Sequence, residues 1–195
     1  MNVREKKEVL PVWVMPRQWR IFIGAAWLFL GIPLYVMYGW SGVFAAGMLL
    51  TMFLLWISVT DGCCGMIFDR VLLPMAILGI LVQVSLLPAH LGDLLLGVLA
   101  GSGILLGLRC LSHGGMGGGD IKMAAALGCW LGWQGVMLTL FMAFLLGGLW
   151  AVWLLVIRRR HLQDSMAFGP FLAAGAYIDL LWGPKLLAFY GTWFL

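Results

Sequence analysis

Long apolar runs with almost no charge constrain this chain more than any other feature of its 195 residues. Apolar spans are predicted at about 21–38, 43–60, 71–88, 94–111, 121–133, 135–157 and 167–182. Each approaches the roughly 20 residues that an α-helix needs to cross a bilayer. Charged residues make up 10% of the chain, against about a quarter in soluble domains. The sequence therefore predicts an all-α, polytopic integral membrane protein with about seven transmembrane helices.

The positive charges predict the orientation of these spans. If the N-terminus is cytoplasmic, the loops at 61–70, 109–122 and 158–166 are cytoplasmic too, and eleven of the twelve Lys and Arg residues lie inside. The inverted arrangement would violate the positive-inside rule. Residues 1–20 are basic and are predicted to lie on the cytoplasmic membrane surface, whereas 21–195 form one membrane-embedded domain. Since the basic residues report topology, no nucleic-acid partner is expected.

The region 121–157 must cross the membrane twice in this topology, because Asp120 and Arg158–Arg160 share a side. At about 1.5 Å per residue, this stretch barely covers two crossings of about 30 Å. We therefore expect a short fifth span that turns near 132–135 or dips only partway.

The fourth span contains two pairs of glycines with a spacing of four residues. Gly97 pairs with Gly101, and Gly103 pairs with Gly107. Such small-xxx-small patterns let helices approach closely in membranes. Both pairs are predicted to pack against a neighbouring helix.

A glycine run from 114 to 119 ends at Asp120, where the next apolar span begins. A carboxylate at the edge of a membrane helix is costly, so it is a candidate functional residue. The glycines Gly117, Gly118 and Gly119 allow a sharp bend and close approach of another chain. The alternative is that Asp120 only caps the following helix.

A second carboxylate, Asp61, ends the second span. At a helix C-terminus its charge meets the negative end of the dipole, so capping does not explain it, although a solvated loop aspartate remains the alternative. The topology places Asp61 and Asp120 at the same cytoplasmic edge. Two carboxylates held close can share a proton, and such a pair can activate water and polarise a peptide carbonyl, as aspartic proteases do.

Other polar residues fit this hypothesis less well. Asp69 and Asp164 lie in loops beside basic residues, Asp93 lies on the outer side, and Asp179 is interpreted as a structural hydrogen-bonding group. Lys122 could orient a substrate carboxylate or tune the aspartate pair. An equally good interpretation is that its ammonium group extends to the level of the lipid headgroups. His113 has no neighbouring ligand set, and the cysteines form no CxxC pair. No metal or organic cofactor is therefore expected.

Three motifs, in order along the chain, resemble those of type IV prepilin peptidases. Gly117-Gly-Gly-Asp120 is a GxGD sequence within Gly-Met-Gly-Gly-Gly-Asp-Ile-Lys-Met, with Ala126-Leu-Gly following. Asp61 is followed, after five residues, by Ile67-Phe68-Asp69, where the family has Ile-Pro-Asn or Ile-Pro-Asp. Met166-Ala-Phe-Gly-Pro-Phe171-Leu-Ala resembles the segment that opens the last family helix. An alternative alignment takes Asp69, five residues before Pro74, as the first catalytic aspartate.

The resemblance implies a GxGD-type membrane aspartic endopeptidase with Asp61 and Asp120 as its catalytic dyad. It implies removal of short basic leaders from type IV pilin-like precursors at the cytoplasmic face of the bacterial inner membrane. Because the paired CxxC motifs of larger members are missing, no methyltransferase activity is expected. The sequence leaves open a homodimer, a protease for other single-span substrates, an inactive scaffold, and a transporter or assembly component whose aspartates carry protons or a cation.

Overall fold

A computed structural model describes residues 17–86, 91–112, 115–157 and 167–194. Within these ranges the chain forms six α-helices and no strand. They are α1 (Arg17–Tyr38), α2 (Gly42–Cys64), α3 (Asp69–Leu86), α4 (Leu91–Leu111), α5 (Gly118–Val156) and α6 (Gly169–Phe194). The all-α prediction is confirmed. The basic segment before residue 17, His113 and Arg158–Arg160 lie outside the described residues.

Five of these helices, α1 to α5, are long and apolar enough to cross a membrane. Large apolar side chains such as Phe29, Val36 and Leu99 are more than half exposed on their outer faces. Such surfaces suit lipid, in which every backbone polar group must be satisfied within its own helix. The protein is an integral membrane protein.

Helix α5 folds back on itself at Gly132. This residue is non-helical, with φ 67° and ψ −173°, in the left-handed half of the backbone map that glycine adopts without a Cβ penalty. Asp120 precedes the break, Leu154 follows it, and both line one cavity. A straight rod would place them about 50 Å apart, so the segments 118–131 and 133–156 must run back alongside each other. The predicted turn near 132–135 is confirmed.

The number of membrane crossings does not follow from this helical hairpin. The segment 118–131 is about 20 Å long, shorter than the roughly 30 Å hydrocarbon core. The described residues thus contain seven helical segments, and seven crossings stay a prediction.

Helices α4 and α5 approach each other so closely that their backbones are in contact. A β-carbon at Gly97 would lie 2.8 Å from the carbonyl oxygen of Gly128, and one at Gly101 would lie 2.9 Å from that of Ala124. By contrast, β-carbons at Gly103 and Gly107 would meet no atom of the described residues within 4 Å. The predicted packing role is therefore confirmed for the first glycine pair and wrong for the second.

Side-chain hydrogen bonds to main-chain carbonyls join the remaining helices. The indole N–H of Trp130 in α5 donates to Met75 O of α3 at 2.6 Å. The hydroxyls of Tyr38 in α1 and Tyr177 in α6 donate to Leu180 O and Leu30 O, each at 2.7 Å. A buried N–H or O–H group that has an acceptor costs little free energy in an apolar environment. These bonds therefore fix the relative positions of the helices.

Asp179 lies in the bundle close to the turn of α5. Its side chain is buried and lies between Gly135 of α5 and Gly183 of its own helix. It does not line the cavity that holds Asp120. Its predicted structural role stays a prediction that this placement favours.

Candidate active site

Asp61 stands on the last turn of α2. The helix ends at Gly65, whose φ of 63° is left-handed and whose N–H donates to the Asp61 carbonyl at 2.8 Å. A glycine in this conformation is a common way to end a helix. The Asp61 side chain is 6% exposed. The C-terminal end of α2 therefore places a carboxylate in the protein interior.

Asp120 lies in the first turn of α5. Gly117 precedes the helix with extended backbone, φ −65° and ψ 139°, and Asp120 is 7% exposed. The positive end of the helix dipole favours a negative charge here. Asp120 Oδ1 is buried and lacks a hydrogen-bond partner among the described residues. Asp120 also accepts the N–H of Gly117, the residue before the helix, as a capping residue does. Capping accounts for that bond but not for the second, unpartnered oxygen.

The two carboxylates share one cavity of about 780 Å³ and are near enough for their charges to interact. They come from positions 59 residues apart in the sequence. Apart from the two aspartates, the cavity is lined by glycines and apolar residues. Its lining is Asp61, Gly62, Gly65, Ile67, Gly115, Gly117, Gly119, Asp120, Trp150, Leu154, Ala167, Phe168, Pro170 and Phe171.

The predicted glycines have different surroundings. A β-carbon at Gly117 would lie 3.0 Å from Asp120 Oδ2, and one at Gly119 would lie 2.9 Å from Ile67 Cβ. Gly118 does not line the cavity; it lies against the guanidinium of Arg109. Gly117 thus keeps space beside the carboxylate, and Gly119 lets Ile67 approach the start of α5. The role of both glycines in substrate access stays a prediction.

Lys122 and Asp69 lie outside this cavity and pair with each other. Lys122 Nζ donates to Asp69 Oδ2 at 2.6 Å, with side chains 59% and 62% exposed. Exposed ion pairs contribute little to stability. The predicted substrate role of Lys122 stays a prediction, whereas Asp61 is the aspartate that the structure brings to Asp120.

If the chain is a peptidase, as the resemblance to prepilin peptidases implies, replacing Asp69 by Asn should leave most of the cleavage activity. The variant removes the partner of Lys122 but no side chain that lines the cavity. Since an exposed ion pair contributes little, the cleavage rate should fall by less than about threefold. Initial cleavage rates of purified Asp69→Asn and unmutated protein would be compared. A loss as large as that of Asp61→Asn would move the first catalytic aspartate to residue 69.

The large apolar side chains that line the cavity were not predicted from the sequence. Trp150 and Leu154 follow each other by one helical turn on α5, and Phe168 and Phe171 flank the start of α6. In a chain so rich in apolar residues, these four side chains look like any lipid-facing ones. The one sequence signal is the Phe168-Gly-Pro-Phe171 segment, which belongs to the third family motif but does not by itself indicate that its side chains line a cavity.

The fold and the site define a class: a polytopic membrane protein with two buried aspartates from different helices in one cavity. Residues 48–152, more than half of the chain, match the type IV leader peptidase family. The chain belongs to this family. The match includes both aspartates and ends before the start of α6.

Several curated relatives carry the name prepilin leader peptidase/N-methyltransferase. The protein from Aeromonas hydrophila is 35% identical over 162 residues, which are 80% of this chain and 55% of the relative. That from Pseudomonas aeruginosa is 34% identical over 158 residues, 78% and 54%, and that from Escherichia coli is 36% identical over 135 residues, 66% and 59%. The chain spans about half the length of the curated relatives it matches. No solved structure matches the chain significantly.

Proposed function

We propose that this chain is a membrane aspartic endopeptidase that removes the short basic leader from type IV pilin-like precursors. The observation that supports this most is the convergence of Asp61 and Asp120 in one cavity of a leader peptidase family member. Relatives named prepilin leader peptidase indicate the class of substrate. The proposed site faces the cytoplasm from the bacterial inner membrane, since positive residues lie at its end of the bundle.

The chemistry needs both carboxylates. One takes a proton from water, whose oxygen attacks the peptide carbonyl, while the other donates a hydrogen bond to the carbonyl oxygen. Buried charges interact more strongly than exposed ones, because solvent screens them less. These side chains supply acid and base, and the reaction needs no further group.

The cavity suits a substrate with a basic and an apolar part. Among its described lining residues the only charged side chains are the two aspartates, and the large apolar ones include Trp150, Leu154 and Phe171. A basic leader would approach the aspartates, whereas the apolar helix behind it would contact the apolar side chains. We infer that the scissile bond lies where these two parts of the substrate meet.

A cleavage assay tests the proposal. Purified protein in detergent or liposomes would be mixed with a pilin-like precursor, and the leader and mature product would be separated by mass. A precursor with its basic leader residues neutralised is the matched control and should be cut more slowly. Absence of processing across several precursors, with proton flux in reconstituted vesicles instead, would contradict the peptidase and favour a transporter.

Thiol labelling should show which side of the membrane the site faces. Cys63, Cys64 and Cys110 are exposed and lie at the ends of α2 and α4 near the cavity, whereas Cys129 is buried. A membrane-impermeant maleimide should therefore label inverted inner-membrane vesicles but not intact spheroplasts. A variant with these three cysteines changed to serine controls for Cys129. Labelling of intact spheroplasts would reverse the proposed orientation.

Two further expectations concern the same protein. The absence of methyltransferase activity stays a prediction, which the mass of the cleaved product would test through the presence or absence of an added methyl group. A homodimer also stays a prediction, to be tested by the mass of the detergent-solubilised protein.

A further inference from the structure

The first turn of α6 leaves one backbone N–H that only another helix satisfies. Phe171 N and Leu172 N both donate to Phe168 O, at 3.0 and 3.1 Å. Pro170 has no N–H, as suits a residue in the first turn. The remaining donor, Gly169 N, donates to Asp61 Oδ2 at 2.9 Å. Asp61 therefore caps α6 from α2.

The space around this bond admits only glycine. A β-carbon at residue 169 would lie 2.5 Å from Asp61 Oδ2, 3.0 Å from Cγ and 3.1 Å from Cβ. These contacts involve the whole Asp61 side chain, so no rotation of a flexible end relieves them. Any side chain at 169 must displace the carboxylate or the start of α6.

The two aspartates therefore differ in how they are held. Asp61 Oδ2 accepts a main-chain N–H from a helix start, where the dipole also favours its charge. Asp120 Oδ1 is buried without a partner among the described residues. Asp120 also accepts a main-chain N–H, that of Gly117, so the difference lies in its other oxygen. A buried oxygen without a partner suits the acid, which keeps its proton there until it meets the substrate carbonyl, and this leaves Asp61, held by the Gly169 N–H, as the base.

We propose that the N-terminus of α6, through the Gly169 N–H, is the positioning element that orients Asp61 as the general base of the dyad. This inference rests on the proposed peptidase function. Asp61 takes a proton from water as the water oxygen bonds to the carbonyl carbon, and Asp120 gives its proton to the carbonyl oxygen. Asp61 then returns its proton to the amide nitrogen, the C–N bond breaks, and a hydroxyl of the intermediate reprotonates Asp120.

The kinetic test compares Gly169→Ala with Gly148→Ala, whose β-carbon would lie more than 4 Å from every other part of the chain that the structure describes. Displacing the base should lower kcat by about 10²-fold, with KM changed by less than about threefold, since substrate contacts remain. Gly148→Ala should match the unmutated protein. Equal kcat in the two variants, or a loss confined to KM, would overturn the positioning role.

A thermal-unfolding cycle tests the contact without any substrate. Gly169→Ala should lower the unfolding midpoint in the unmutated background and lower it less in an Asp61→Ala background, because the displaced carboxylate is gone. Additive effects would overturn the contact. If the unmutated protein does not cleave precursors, the proposed function and the base role fail together, while the cycle still decides whether Asp61 caps α6.

Discussion

Asp61→Asn and Asp120→Asn should each abolish precursor cleavage, with rates at least about 10²–10⁴-fold lower. Asparagine keeps the shape of the side chain but can neither accept a proton from water nor donate an acidic one. The two residues act on the same bond in one cavity, so the loss of either should remove most of the activity. The double variant should then be little worse than each single one. Initial rates on one precursor would be measured for all three variants.

Asp179→Asn is the matched control for this prediction. Asp179 is 7% exposed, as Asp120 is, but it lies beside Gly135 and Gly183, away from the cavity. If burying an amide were the cause of the loss, Asp179→Asn would lose activity as well. Retained cleavage in Asp179→Asn with loss in both dyad variants would establish the dyad. Cleavage by either dyad variant at a near-normal rate would contradict it.

Gly97→Ala should destabilise the protein far more than Gly103→Ala, although both residues lie in α4. The new methyl group at 97 would lie 2.8 Å from Gly128 O and 2.8 Å from Gly132 C, which are main-chain atoms. Backbone cannot rotate away, so α4 and α5 must separate, at a cost of about 3 kcal/mol or more. At Gly103 the new methyl group would meet no neighbour within 4 Å in the described part of the chain, and alanine should be neutral or stabilise the helix by about 0.5–1 kcal/mol.

Unfolding in detergent or bicelles, followed by heat or denaturant, would measure both variants. The separation of α4 and α5 should also displace Asp120, because the same segment, 118–131, carries that residue and Gly128. Gly97→Ala should thus lose cleavage activity even below its unfolding midpoint. Equal stability of the two variants would show that the close approach of α4 and α5 is wrong.

Much of the site could be predicted from local sequence. Apolar length decides which segments cross a bilayer, and positive charges decide which ends share a side, so Asp61 and Asp120 were expected at one edge. A turn near 132–135 or a partial dip was also expected, since the positive charges require 121–157 to cross twice and its length barely covers two crossings. These inferences succeed because the bilayer thickness sets the length of every crossing segment, and the positive charges set the side on which its ends lie.

Only the tertiary structure decided between features that look alike in one dimension. Gly97 and Gly103 have the same local pattern, but only Gly97 faces α5, and which face meets a neighbour depends on how the helices cross. Asp61 and Asp69 were both compatible with the family spacing, and the fold placed Asp61 in the cavity and paired Asp69 with Lys122. The hydrogen bond from the Gly169 N–H to Asp61 could not be predicted from the sequence, because every residue except proline has such a donor. Its acceptor lies 108 residues away and is determined by how α2 and α6 pack.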